Sequence, residues 1–258
     1  MQKKNLNWDP ERAQVAELAE GVYARCEIDN MGWIDAGGFT VVVDTLEQPA
    51  SFSEVRREIV RTAGEQPVRY VLNTHTHPDH VALNEDFRRE GAEIINGRTA
   101  PPPAEGLNVE GDKRAVRLIP MGGCHTNYDC IVWLPGEKVM FVGDLFGWGL
   151  IPWMGNLTED RRTLLLDTYS RLLEYAPETV VPGHGPLCSG DELRRWRDYF
   201  LWLIETVKRK LMEGYRPDQI NSSVIPPPED MRDWWRFVEW KHEDSIRKVA
   251  KATGRQWR

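Results

Sequence analysis

Residues 68–80 read VRYVLNTHTHPDH. A short apolar run of strand length passes directly into three histidines and an aspartate, and that junction limits the folds open to the chain. The run has to be buried, while the imidazoles and the carboxylate have to sit where the strand gives out. His75 and His77 alternate, so in an extended segment both rings point to the same side. Pro78 then turns the chain and brings Asp79 and His80 round behind them. The whole chain has six histidines, and three of them stand in this turn. Crowded imidazoles cost stability unless a metal or hydrogen-bonding partners organise them. Divalent metals such as zinc take imidazole nitrogens and carboxylate oxygens. Four such groups exceed what one catalytic zinc needs, because that metal keeps a position open for water.

The rest of the chain alternates strands with helices. GVYARCEI and GGFTVVVDT read as strands, rich in β-branched residues. SFSEVRREIVRTAG reads as a helix capped by Ser51 or Ser53 and stopped by Gly64. After VRYVLN comes a short helix, HVALNEDFRREG, then a strand, AEIING. The proline-rich stretch from Arg98 to Gly111 reads as loop. AVRLIP and CIVWLPGEKVMFVGD read as three strands, the last two joined by a tight PGE turn. A helix capped by Thr158 follows, then the strand ETVVPGHG. From Asp191 the period changes. Leu193, Trp196, Phe200, Leu203, Val207 and Leu211 form one apolar helix face, and Met231, Trp235, Val238, His242, Ile246 and Val249 repeat it in a last helix. This order fits an α/β sandwich with helices outside two sheets, followed by a helical C-terminal extension. No linker demands a second domain, so residues 1–258 are read as one domain, with 190–258 as its extension.

The remaining histidines stand in similar contexts. His125 lies in the glycine-rich loop GGCHTNYD, and His184 lies in VPGHGP at a strand end. Asp144 closes the apolar run KVMFVGD. Loops at strand ends are where sites are usually built. His242 instead falls on the apolar stripe of the last helix and reads as a core or interface histidine.

Composition restricts the function classes. A formal charge of −7 argues against general nucleic-acid binding, although the tail from Met231 onward is locally basic. The N-terminal residues show no apolar h-region, and no stretch approaches the ~20 apolar residues of a membrane span. Four cysteines without a CxxC pair read as free thiols. A cytoplasmic enzyme without membrane contact is expected.

The motif HTHPDH, followed in order by His125, Asp144 and His184, resembles the metallo-β-lactamase-fold hydrolases, whose signature is HxHxDH with a distant His, Asp and His. The resemblance covers roughly residues 20 to 190. It implies a four-layer αββα sandwich with a two-metal site along one edge. It further implies that His75, His77 and His125 hold the first metal, that Asp79, His80 and His184 hold the second, and that Asp144 bridges both. Zinc is the expected metal, with iron and manganese as alternatives. Exported zinc β-lactamases carry cysteine at the position of Asp144, so the resemblance is to the glyoxalase II and lactonase branches rather than to a dedicated antibiotic-resistance enzyme.

Two metals about 3.5–4 Å apart share a water and make it hydroxide near neutral pH. The expected reaction is therefore attack of a bridging hydroxide on a small acyl substrate: a lactone, thioester, ester or β-lactam. Asp79 is the expected catalytic carboxylate. It ligates the second metal and orients the attacking group. Cys124 reads as packing, and Thr74, Thr76 and Thr126 read equally as residues that orient the imidazoles through their hydroxyls or as residues placed for strand propensity. Trp148 and Trp153 in FGWGLIPWMGNL, with Tyr128, are the expected substrate contacts. The alternatives are a phosphodiesterase or nuclease of the same fold, a non-heme iron enzyme, and a non-enzymatic metal-binding protein. The tryptophan-rich C-terminal helices, with Trp234, Trp235 and Trp240, point to a homodimer.

Overall fold

A computed structural model describes residues 8–47, 51–152 and 157–256. Contacts group the chain into two compact units, Met1–Leu145 with Pro177–Cys188, and Phe146–Ala176 with Ser189–Arg258.

The first unit holds two sheets. One is formed by β1 (Gln14–Ala19), β2 (Val22–Cys26), β3 (Met31–Asp35), β4 (Thr40–Val43), β5 (Val68–Leu72) and β6 (Glu93–Ile95), paired in that order. β1 to β4 pair antiparallel, and β4, β5 and β6 run parallel. The second sheet has the order β11-β10-β9-β8-β7, from β7 (Leu107–Glu110), β8 (Ala115–Pro120), β9 (Cys130–Leu134), β10 (Val139–Gly143) and β11 (Thr179–Pro182). Only β10 and β11 are parallel there.

Strand alternation explains how the first sheet is buried on both faces. Ile34, Val41 and Val43 point into a core shared with Val116, Leu118, Val132, Leu134 and Phe141 of the second sheet. Trp33 and Val42 point the other way, into a core with Val55 and Ile59 of α1 (Phe52–Ala63) and Phe87 of α3 (Asn84–Arg89). α1 is capped as its sequence predicts: the Ser51 hydroxyl accepts the Glu54 N–H, and Gly64 closes the helix at φ 84°.

Two expectations need correction, and two strands go unmarked in the sequence. The stretch 98–111 is not all loop, because Leu107–Glu110 pairs with Ala115–Leu118 as an edge strand. Its burial comes from that pairing and not from local pattern. The helix expected over 80–91 is two short ones, α2 (Pro78–Val81) and α3, with Leu83 between them buried in the core. β1 and β3 carry no strong alternation of their own and become strands by pairing with β2.

In the second unit α4 (Glu159–Glu174) and α5 (Gly190–Met212) pack through Tyr169 stacked on Trp196, with ring centroids 4.0 Å apart. The Thr158 cap is present, and a Ser189–Glu192 capping box starts α5. The last apolar stripe is not one helix. Arg236 takes a left-handed φ of 53°, a short π-helical turn covers Phe237–Lys241, and α6 runs His242–Gln256. Phe237 is buried where Val238 had been expected, and Val238 is exposed. Among the described residues, no helix is long and apolar enough to cross a membrane.

Candidate metal centre

The cluster is built where strands end. His75 and His77 follow β5, Asp79 and His80 lie in α2, His125 is in the β8–β9 loop, Asp144 follows β10 and His184 follows β11. All belong to the first unit. The NTHTHPDH turn is held by a polar network. Asn73 Nδ2 donates to the His80 carbonyl at 3.1 Å, the Thr45 N–H donates to the same oxygen at 2.9 Å, and Asn84 Nδ2 donates to Asn73 Oδ1 at 2.9 Å.

The seven side chains form two groups that share one member. His75, His77, His125 and Asp144 present ligand atoms within 4.8 Å of one another, and so do Asp79, His80, Asp144 and His184. In the first group His77 Nδ1 lies 3.2 Å from His75 Nε2 and 2.9 Å from His125 Nε2. Asp144 Oδ2 lies 3.3 Å from His125 Nε2. In the second, Asp144 Oδ1 lies 3.3 Å from His80 Nε2 and 3.2 Å from His184 Nε2, while Asp79 Oδ2 lies 3.2 Å from His184 Nε2.

Neighbouring groups settle which ring nitrogen faces the cluster. The Thr74 hydroxyl donates to Asp44 Oδ2 at 2.8 Å, so its oxygen is left to accept the Nδ1–H of His75 at 3.2 Å. His80 Nδ1–H donates to Asp44 Oδ2 at 3.0 Å, and His184 Nδ1–H donates to Asp29 Oδ1 at 2.9 Å. In all three rings Nε2 is thereby turned inward as the lone-pair nitrogen when the ring is neutral. His125 is fixed through its backbone. Asp129 Oδ2 accepts the N–H of Cys124 at 3.0 Å and of His125 at 2.7 Å, and Asp129 Oδ1 accepts the Thr126 hydroxyl at 2.6 Å.

Backbone shape serves the same cluster. Asp44 is 3% exposed and sits at φ 54°, a region that aspartate tolerates better than most residues. Gly143 lies at φ 51°, and a side chain there would run into the Thr74 hydroxyl. At Gly183 a side chain would run into Asp144 Oδ1. Glycine at these two places leaves room for the cluster.

Charge divides the two groups. Burial, with help from neighbouring imidazoles, drives the His75 value down to about 2, so the ring is neutral. Burial and His125 also lower His77. At His80 burial opposes the charged form, but the Asp144 and Asp44 carboxylates outweigh it and push the value up to about 10. His184 is likewise raised to about 12 against burial, by Asp144, Asp29 and Asp79. Burial opposes ionisation of Asp79 and Asp144 too. Hydrogen bonding to His184 holds Asp79 down at about 2, and His80 and His184 hold Asp144 well below the ordinary carboxylate range.

The donor set fits divalent metal ions. His80 Nε2 and Asp144 Oδ1 are buried without a hydrogen-bond partner, and both point into the cluster. A cation between them would satisfy both, and the convergent imidazole nitrogens of the first group are the donor type that such ions take.

The other expected site residues are distributed differently. Tyr128 lies in the His125 loop and is 47% exposed. Trp148 lies in the second unit, 7% exposed, and packs against Phe146 and Trp234 at 5.3 and 5.5 Å. Trp153 lies outside the described residues. Thr126 bonds Asp129 rather than a ring, whereas Thr74 does orient His75. Cys124 is buried and its N–H serves Asp129. His242 is a satisfied core residue: Nε2–H donates to the Ile225 carbonyl at 2.8 Å, and Nδ1 accepts the Tyr199 hydroxyl at 2.8 Å. Asp29, Asp44 and Asp129 were missed in the sequence. A lone aspartate after a strand is common, and only the VVVD run before Thr45 offered a hint.

Comparison with known proteins places the chain in a family. A sequence model of the family described as "Metallo-beta-lactamase superfamily" matches residues 24–95 and 92–184. A metallo-beta-lactamase type 2 of Bacteroides fragilis is 23% identical over 195 residues, which are 66% of this chain and 78% of the relative. A hydroxyacylglutathione hydrolase of Erythrobacter litoralis is 28% identical over 172 residues, 60% of this chain and 62% of that enzyme's length. Among solved structures, a metallo-beta-lactamase from Pontibacter korlensis superposes with a TM-score of 0.58 at 21% identity, covering 71% of this chain and 96% of its own. One from Pseudomonas aeruginosa in its mono-zinc form gives 0.57 at 16% identity, covering 72% and 93%. At these identities the structural likeness is one of fold.

Proposed function

The chain belongs to the metallo-beta-lactamase superfamily and is a metal-dependent hydrolase of that α/β sandwich fold; from that premise we propose that it cleaves a small acyl substrate with two divalent metal ions, zinc first among the candidates. The reading rests on one observation, the two four-membered ligand groups that meet at Asp144. Two relatives with different names point the same way. One is a beta-lactamase and the other a hydroxyacylglutathione hydrolase, and both names describe acyl cleavage.

In this proposal His75, His77 and His125 hold one ion, Asp79, His80 and His184 hold the other, and Asp144 serves both. When bound, the ions supply Lewis acidity and a water activated near neutral pH. The protein supplies the rest. Burial keeps His75 neutral, and Thr74 takes its Nδ1–H, so Nε2 is the nitrogen presented to the cluster. Asp79 is ionised at neutral pH, so its carboxylate would hold the second ion and orient the attacking water by accepting a hydrogen bond from it. Asp44, beneath the cluster, keeps His80 and Thr74 in register so that the attack geometry is set before substrate arrives. Tyr128, Trp148 and Trp153 stay as proposed substrate contacts. A homodimer through the C-terminal helices also stays proposed, supported by exposed Val238 and Trp240. A monomer mass independent of concentration would remove it.

The test is initial rates of the zinc-loaded protein on a lactone, a thioester, a β-lactam and a phosphodiester, beside an Asp79→Asn control. Turnover of acyl substrates by the parent alone supports the reading. Cleavage of the phosphodiester alone replaces it with a phosphodiesterase.

A further inference from the structure

His184 is the ligand-type side chain whose orientation depends on a surface turn. Its Nδ1–H donates to Asp29 Oδ1 at 2.9 Å, 155 positions away in the turn between β2 and β3. The two side chains are 25% and 18% exposed, whereas His80 and its partner Asp44 are buried. Around the His184–Asp29 bond a backbone clasp joins the two segments. The Asn30 N–H donates to the Gly183 carbonyl at 2.8 Å, and the Gly185 N–H donates to the Ile28 carbonyl at 3.0 Å. Asn30 Nδ2 donates to the Pro182 and Gly185 carbonyls at 2.9 and 2.8 Å, so both its amide hydrogens are spent on the His184 loop.

This clasp holds the loop without help from Asp29. What the carboxylate adds is control of the ring: it fixes the tautomer and the tilt, so that Nε2 lies 3.2 Å from both Asp79 Oδ2 and Asp144 Oδ1. We propose that Asp29 is the positioning residue of the second ligand group, setting how tightly Asp79, His80, Asp144 and His184 hold their metal ion while leaving the first group untouched. The inference rests on the two-metal reading above and adds to it which residue sets the hold on one of the two ions. Asp29 touches no ligand atom of the first group, and a change in the turn is passed to the cluster through one imidazole.

The experiment is a titration of the full metal-free chain with cobalt(II), followed by its visible absorption, and repeated with zinc by elemental analysis. Parent, Asp29→Asn and Asp29→Ala are compared. Asparagine keeps an acceptor oxygen without the charge, and alanine removes both. The second equivalent should bind about 10-fold more weakly in Asp29→Asn and about 100-fold more weakly in Asp29→Ala. The absorption and affinity of the first equivalent should match the parent. The metal-free variants should still fold and unfold in one cooperative step, because the Asn30 clasp is intact, with a lower thermal midpoint in Asp29→Ala, where the His184 Nδ1–H loses its acceptor. The proposal is overturned if both variants take up the second equivalent like the parent, or if both equivalents weaken together. If Asp29→Ala does not fold, Asp29→Asn decides by the same readout. A parent that binds only one equivalent refutes the two-metal reading itself, and this inference with it.

Discussion

The two ligand groups share Asp144 yet are supported in opposite ways. The first gathers three imidazoles, and its best-buried ring, His75, leans on the neutral hydroxyl of Thr74. The second gathers two imidazoles and two carboxylates, and each of its rings leans on a further carboxylate, Asp44 for His80 and Asp29 for His184. A hydroxyl partner leaves a buried ring neutral and ready to bind metal. A carboxylate partner makes the ring more basic, which strengthens it as a ligand but also lets a proton compete for it. The two groups are therefore distinguished by what stands behind their members rather than by the members alone.

The largest effect should come from removing what the groups share. Asp144→Ala is expected to lose both metal equivalents and to lower the hydrolysis rate by about 10³-fold or more, some 4 kcal/mol of transition-state stabilisation. Metal analysis and steady-state rates check this, and retention of one full equivalent would show that the groups are independent. Asp44→Ala comes next. It leaves the Thr74 N–H, the Thr74 hydroxyl and His80 Nδ1 without their acceptor in a buried place. At roughly 1–3 kcal/mol per orphaned donor, a loss of about 3 kcal/mol or more is expected in denaturant unfolding, with the second equivalent suffering before the first.

Acid should separate the groups without any mutation. His80 and His184 are raised to about 10 and about 12, so protons compete with metal throughout the neutral range. Affinity at the second group should fall by up to about two decades per pH unit as pH drops, one for each displaced proton. His75 and His77 are lowered, so the first group keeps its ion further into acid. Metal content against pH should then step from two to one before reaching zero, and a single joint step would contradict the comparison. In the metal-free protein the sign for the second group reverses. Its raised imidazoles stabilise the fold fully below the ordinary value of 6.5, and that contribution is lost as pH rises through about 10. Buried neutral His75 works the other way and loses stability as pH falls from 6.5 toward about 2.

The smallest effect on the centre should come from the sixth histidine. His242→Phe takes away the acceptor of the Tyr199 hydroxyl and the donor to the Ile225 carbonyl, and is expected to cost about 1–3 kcal/mol of stability. Two metal equivalents should remain after dialysis.

Local pattern and chemistry made much of this molecule readable in advance. The run VRYVLN had to be a buried strand, and the ligand-type residues after it had to crowd at its end, because six residues cannot separate them. Asp144 and His184 were legible for a similar reason, each closing an apolar strand. α5 was legible from its helical period. Other features could not be read because their cause lies elsewhere in the chain. β7 exists because β8 pairs with it. The last stripe breaks at Arg236, where Phe237 rather than Val238 finds the interior. Asp29, Asp44 and Asp129 look like any aspartate in a turn until the fold brings an imidazole or a row of N–H groups to them. Which residues are candidate ligands is a matter of residue type and place at strand ends, which a sequence displays. The orientation and charge of His80 and His184 depend on partners 36 and 155 positions distant, and only tertiary structure brings those partners within hydrogen-bonding reach.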